Sequence, residues 1–253
     1  MKRLVGPILA NDLTGSAAAW VLRNRIPHRG LTIDTSSTLV TPKIKASLLL
    51  RGYESGEYRF VRRYLPRDLD VVELGGSLGV ISCTIRRHIA PDRRLVVVEA
   101  NPALAAILQR NLDLNGCGHN VTIERVAIAY GGESSIRFSL GASSVSGRVA
   151  TEEDTDSIEV PTTTLAALVD RHDLGTFALV SDIEGIEWSM LRNDRATIER
   201  ADTIIMETHD NSEFGRFPDL IAELSGLAGF QLVDRHGPVV VLKRGAAPDA
   251  ATR

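Results

Sequence analysis

The chain has 253 residues, 43% of them hydrophobic, which is enough to bury one sizeable core, and α/β chains of this length are commonly undivided. The formal net charge of −3 gives no general attraction to nucleic acid, and no apolar run approaches the roughly 18 residues that span a bilayer. Two cysteines, Cys83 and Cys117, supply neither a disulfide framework nor a metal-ligand spacing; with no signal-peptide pattern at the start, a reduced cytoplasmic setting is expected.

Charge is unevenly spread. Residues 1–70 carry 12 Lys and Arg against 6 Asp and Glu, and the remainder 17 against 26. A basic lead segment reads as solvated surface before it reads as a device for steering an acidic partner. Up to about residue 50 the pattern is irregular, with Pro7, Pro27 and Pro42, a short helix predicted over 16–25 and a strand at Leu31–Asp34. Tyr53, Phe60, Val61, Tyr64 and Leu65 recur at roughly helical spacing, so a helix is expected to lead across Pro66 into a buried strand over 69–74.

That strand breaks into Gly75-Gly76-Ser77-Leu78-Gly79 and a helix over 78–89, followed by a second buried strand over 94–98. Asn101-Pro102 is a helix start: the Asn side chain can accept from free amides, and proline is pre-set for the first turn. Leu104, Ile107, Leu108 and Leu112 form one apolar stripe, and Gly116 supplies the left-handed exit. A third parallel strand is expected over 121–126, an extra hairpin from 134–140 and 157–161 with a small, polar loop over 141–156 between them, and a short capped helix over 164–171. Core strands follow at 177–182 and 202–207, then an apolar helix between Pro218 and Leu227, and a closing hairpin of 230–234 and 239–243 through His236-Gly237-Pro238.

Two strand–turn units side by side form half of a nucleotide-binding α/β sheet. A hydride-transfer fingerprint needs glycine at 77 and 80, where the chain has Ser77 and Val80. Glu73, before the glycines, would repel a pyrophosphate but can hold the ammonium of S-adenosylmethionine. Gly75, Gly76 and Gly79 read as ligand approach rather than as a bare tight turn. Glu99, at the tip of the second strand, is placed to accept from both ribose hydroxyls, with Ala100 and Asn101 beside it; a helix cap is the first role of Asn101. Val126 and Ala127, ending the third strand, suit an adenine wall.

The best candidate for the reacting centre is Asp182-Ile183-Glu184-Gly185-Ile186-Glu187, where alternation aims Asp182 and Glu184 to one side and Gly185 permits a sharp departure into a helix carrying Trp188 and Leu191. Asp182 can take an acceptor proton, bind the cofactor amine or hold a substrate hydroxyl. His209 is a second base candidate with a pKa suited to neutral pH. The acids around them have no dedicated metal-ligand signature, so no metal is assigned.

Arg51-Gly52-Tyr53-Glu54 with Glu57, the glycine turn, Glu99-Ala100-Asn101-Pro102, Val126-Ala127-Ile128-Ala129 and Ser181-Asp182-Ile183-Glu184-Gly185-Ile186-Glu187 together resemble the FkbM-type family of S-adenosylmethionine-dependent methyltransferases over about residues 50–243. Against the family pattern Glu73 replaces an Asp, Gly76 an Ala, Ser77 an Asn, and Val180 stands in place of a Lys. The resemblance implies an α/β, Rossmann-like class I methyltransferase: a mostly parallel seven-stranded sheet with a C-terminal antiparallel hairpin strand and helices on both faces. It places Tyr53 and Glu57 on the cofactor side. It divides the chain into a lead or lid segment (1–50), a methyltransferase domain (51–245) and a flexible tail (246–253). The implied acceptor is a hydroxyl of a small molecule, sugar or glycoside, or secondary-metabolite intermediate. The alternatives are N-methylation of a small amine or peptide, and an inactive partner module. Nucleic acid and membrane are not expected as partners; a homodimer through Trp20 and the lead segment stays open.

Overall fold

The computed structural model describes residues 11–139, 148–149, 157–183, 185–209, 216–227 and 229–245. The expected polar loop over 141–156 lies outside the described residues except at 148–149, as do the tail over 246–253 and Glu184.

The chain opens with helix α1 (Asp12–Val21), hairpin strands β1 (Arg25–His28) and β2 (Leu31–Asp34), and helix α2 (Pro42–Leu49). The helix expected over 16–25 starts earlier and ends at Val21, because Arg23 and Asn24 turn into left-handed φ of 50° and 58°. Strand β1 and helix α2 escape the sequence pattern because both contain a proline. Pro27 lies in a hairpin edge strand and Pro42 in the first turn of α2, two places that tolerate the missing N–H.

There follow α3 (Ser55–Tyr64), β3 (Asp70–Leu74), α4 (Val80–His88), β4 (Leu95–Val98), α5 (Pro102–Leu114), β5 (Val121–Glu124), β6 (Ala127–Ile128), β7 (Ser135–Ser139), β8 (Arg148–Val149), β9 (Ser157–Thr163), α6 (Leu165–Arg171), β10 (Phe177–Ser181), α7 (Glu187–Asn193), α8 (Arg195–Ile198), β11 (Ala201–Glu207), α9 (Phe217–Ser225), β12 (Phe230–His236) and β13 (Val239–Arg244). Among the described residues a seven-stranded sheet runs in the order β12-β13-β11-β10-β3-β4-β5. Strands β5, β4, β3, β10 and β11 are parallel, and β13 runs antiparallel between β11 and β12. The antiparallel strand is therefore one place in from the edge, and the hairpin returns β12 to the edge itself. The extra hairpin of β7 and β9 forms as expected, inside a small sheet of order β6-β9-β7-β8.

Side-chain alternation builds the two layers. Val71, Val97, Val180, Ile205 and Val241 pack one face against Phe60, Ile85 and Leu108 of α3, α4 and α5. Val72, Val96, Leu179, Ile204 and Val240 pack the other against Leu168, Leu191 and Leu220 of α6, α7 and α9. The N-terminal hairpin joins the first layer: Ile26, Leu31 and Ile33 are buried in it. Asn111 of α5 and its C-cap Asn115 extend the β2 ladder, with Asp34 N donating to Asn111 Oδ1 (2.7 Å) and Thr32 N to Asn115 Oδ1 (2.9 Å). No helix among the described residues is long and apolar enough to cross a membrane.

Strand order reverses between β3 and β10, which opens a crevice at their carboxyl ends, the place where open α/β sheets bind ligands. The glycine turn and the segment after Ser181 form its two lips.

Candidate functional site

Three hydrogen bonds seat the glycine turn on the sheet. Gly75 N and Gly76 N both donate to Val98 O (2.9 and 3.0 Å), and Asp182 N donates to Leu74 O (2.9 Å). Gly75 has φ +90°, and a Cβ there would lie 2.1 Å from Asp182 O; a Cβ on Gly76 would lie 2.3 Å from Leu108 Cδ1 and 2.5 Å from Val97 Cγ1. The space beside these two glycines is filled by the protein's own chain. Their absent side chains let the two lips of the crevice touch and let the turn lie on α5. Gly79, with φ +78°, caps α4 in the left-handed region.

Ser77, at φ +45°, donates its N–H to Glu99 Oε2 (2.7 Å), and its Oγ lies 3.1 Å from the Tyr53 hydroxyl. The other oxygen of Glu99 accepts from Asn101 N (2.8 Å), across half-buried Ala100. Glu99 thus ties the turns after β3 and β4 together. It is buried, and burial pushes its carboxyl up to about 7 against the pull of the two amides. Each carboxylate oxygen has two acceptor directions, so one remains on each. Asn101 caps α5 by accepting from Ala103 N (2.9 Å) and Leu104 N (3.4 Å). Val126 is half-buried and Ala127 buried, just past the end of β5.

Glu73 is the penultimate residue of β3, in register with Val180 and Val97, and only 2% exposed. Its Oε2 has no hydrogen-bond partner in the protein. Burial, opposed by the nearby Ser82 hydroxyl and reinforced by the Glu99 charge, pushes its carboxyl up to about 8.

More acids converge on the same crevice. Glu54 holds a left-handed φ of 44° at the start of α3, and burial, then Glu57, Asp182 and Glu73, raise its carboxyl well above the usual range. Glu57 is buried on α3. Glu207 ends β11; burial and the charges of Asp182 and Glu57 push it up to about 8, with His209 opposing. His209 Nδ1 lies 2.5 Å from Glu187 Oε1, while its Nε2 lies 3.7 Å from Asp182 Oδ1 and 4.0 Å from Glu207 Oε1. One ligating atom each of Asp182, Glu207 and His209 fall within 4.8 Å of one another.

The structure therefore brings Tyr53, Ser77, Glu99 and Asn101 together at one pole, and Glu57, Asp182 and His209 at the other. Sequence reasoning missed Glu187 as a site residue and gave Glu54 no role. Glu187 stands in the first turn of α7 with its side chain fully buried. The available signal was an acid inside the apolar run Ile186, Trp188, Met190 and Leu191, where an unpaired charge is not tolerated. The same helix lends Ser189 and Asn193, and its N-cap Ile186, to a cavity of about 560 Å³ lined also by Tyr130, Ser135 and Ile136.

Several solved structures are similar to this chain. The O-methyltransferase TomG of Streptomyces achromogenes, involved in tomaymycin synthesis and solved with S-adenosylmethionine, shares 13% identity over 75% of this chain and 78% of its own, with a TM-score of 0.47. The ribosomal protein L11 methylase of Lactobacillus delbrueckii subsp. bulgaricus shares 13% over 78% and 80%, with a TM-score of 0.47. The precorrin-6y C5,15-methyltransferase of Geobacter metallireducens shares 14% over 76% and 88%, with a TM-score of 0.43. No curated protein matches this chain. Residues 73–232, more than half of the chain, match the methyltransferase FkbM domain, and these residues contain both lips of the crevice. The chain belongs to the FkbM methyltransferase family, whose cofactor is S-adenosylmethionine.

Proposed function

We propose that this protein transfers the methyl group of S-adenosylmethionine to a hydroxyl of a small molecule, a sugar or glycoside, or a secondary-metabolite intermediate. The observation that carries the reading is the position of Asp182: it is the first residue after β10, its carbonyl oxygen sits against the glycine turn, and its carboxylate faces His209. A cofactor held along the turn would supply its methyl group at that lip, where Asp182 could take a proton from the acceptor.

In this reading the remaining acceptor directions of Glu99 take the ribose hydroxyls, with Ala100, Asn101, Val126 and Ala127 around the adenine. Gly75, Gly76, Ser77 and Gly79 carry the turn beneath the cofactor, and Tyr53 fixes Ser77. Glu73, whose carboxyl sits near 8 in the crevice, would give up its proton against an ammonium or a sulfonium, and with the neighbouring acids Glu57 and Glu54 would then favour a positive charge there. Transfer is an in-line displacement: the hydroxyl oxygen forms a bond to the methyl carbon, the carbon–sulfur bond breaks with its electrons passing to sulfur, and the hydroxyl proton goes to Asp182. Charge on sulfur is lost in the step, so alignment and exclusion of water matter more than charge stabilisation.

The acidic crevice also favours a second reading, N-methylation of a small amine, because the same carboxylates attract an amine and orient its nitrogen. Transfer of labelled methyl to matched pairs of hydroxyl and amine analogues separates the two. Turnover of the hydroxyl members with loss of at least a hundredfold in Asp182→Asn supports the first reading. Turnover of the amines alone supports the second, and cofactor binding without turnover on a broad panel marks an inactive module.

A further inference from the structure

We infer that Asp182, Glu207 and His209 bind one divalent cation of the Mn²⁺ or Zn²⁺ kind at the acceptor side of the crevice. The donor set is two carboxylate oxygens and one imidazole nitrogen, from the ends of two adjacent parallel strands, within 4.8 Å of one another. Sequence spacing hides it, because Asp182 is far along the chain from Glu207 and His209. Two carboxylates with an imidazole match a hard to borderline first-row cation.

A second observation concerns Glu187. Its side chain is fully buried, one oxygen lies 2.5 Å from His209 Nδ1, and the other has no hydrogen-bond partner in the protein. A carboxylate on one ring nitrogen fixes the tautomer and presents the opposite nitrogen as a lone-pair donor, the arrangement that supports metal-bound histidines. Here that opposite nitrogen, Nε2, faces Asp182 and Glu207. The buried negative charge of Glu187 then finds compensation through the ring in a cation on its far side. The same cation offsets the close approach of the Asp182 and Glu207 carboxylates.

What the cation does rests on the methyltransferase reading. It would hold the acceptor oxygen in line with the methyl group, with Asp182 ligating through one oxygen and keeping the other for the proton. Binding itself is independent of that reading.

The test is titration of the tag-free full chain with Mn²⁺, read by loss of the electron paramagnetic resonance signal of free aqueous Mn²⁺ and repeated calorimetrically with Zn²⁺. One saturable site is expected. Glu207→Gln and His209→Gln should each weaken it at least tenfold, and Glu187→Gln by about 10- to 100-fold through loss of the carboxylate that holds the His209 ring. Thermal midpoints and far-ultraviolet circular dichroism verify that each variant is folded, and Glu207→Asp, which keeps a carboxylate, should retain more affinity than Glu207→Gln. Absence of a saturable site for either ion overturns the inference, and so does unchanged affinity in the folded variants. S-adenosylmethionine titrated in parallel separates the failures: cofactor binding without metal binding sinks this inference alone, and binding of neither sinks both.

Discussion

Glu73→Gln offers a test in which stability and function should move in opposite directions. Glu73 is buried in β3, and its carboxyl is raised from 4.5 to about 8 in the folded chain. An acid with a raised folded pKa favours folding in its protonated form. Its contribution is fully present below about pH 4.5 and is lost as pH rises through about 8. The interval between 4.5 and about 8 at about 1.4 kcal/mol per unit gives a loss of about 5 kcal/mol across the window, and of about 3 kcal/mol by pH 7. Glutamine fills the same volume without a charge. The variant should match the wild type near pH 4.5, exceed it by about 3 kcal/mol at pH 7 and approach 5 kcal/mol above pH 8.5. Urea unfolding at three pH values reads this directly: with a slope of about 3 kcal/mol per molar for a chain of this size, the midpoint should rise by about 1 M at pH 7. If Glu73 holds the cofactor ammonium, the same variant should bind S-adenosylmethionine about tenfold more weakly, a gain in stability offset by a loss in function. Unfolding midpoints of variant and wild type that stay parallel from pH 4.5 to 8.5 would refute the argument.

Glu99→Gln should keep the fold while weakening S-adenosylmethionine at least tenfold by calorimetry, because the remaining acceptor directions of Glu99 face the ribose in this account. Gly75→Ala forces a Cβ to within 2.1 Å of Asp182 O at φ +90°, so a destabilisation of about 3 kcal/mol or more, and a melting point lower by roughly 10 °C, are expected from scanning calorimetry. Asn111→Leu leaves Asp34 N and Leu78 O without their partner and should destabilise the protein by about 2–4 kcal/mol in urea, with exchange of the β2 amides accelerated first.

The β3–turn–α4–β4–α5 unit was legible because its signals are local. Continuous Val runs mark buried strands, glycines mark the turn, and Asn101-Pro102 marks the helix start, where Asn101 indeed caps. Of the N-terminal hairpin only β2 was legible, at Leu31–Asp34 as expected; β1 carries Pro27, and the bonds that tie β2 to the domain come from Asn111 and Asn115, far along the chain. Site residues divide the same way. Glu73, Glu99 and Asp182 stand at strand ends that hydrophobic period alone locates. The pairing of Glu187 with His209 depends on α7 folding back onto the end of β11, which no window of sequence reports. The glycines show a subtler limit. Their type announces a close approach, but only the three-dimensional arrangement tells that Gly75 and Gly76 meet the exit of β10 and the side of α5.

The account stands on the crevice between β3 and β10 being an S-adenosylmethionine site in this chain. Calorimetric titration of the purified protein with S-adenosylmethionine and S-adenosylhomocysteine, with NAD as control, addresses it most directly. Saturable one-to-one binding of the first two, none of the third, and loss of at least tenfold in Glu99→Gln is the expected result. Binding of NAD, or no heat from any of the three with a protein that unfolds cooperatively, would contradict it.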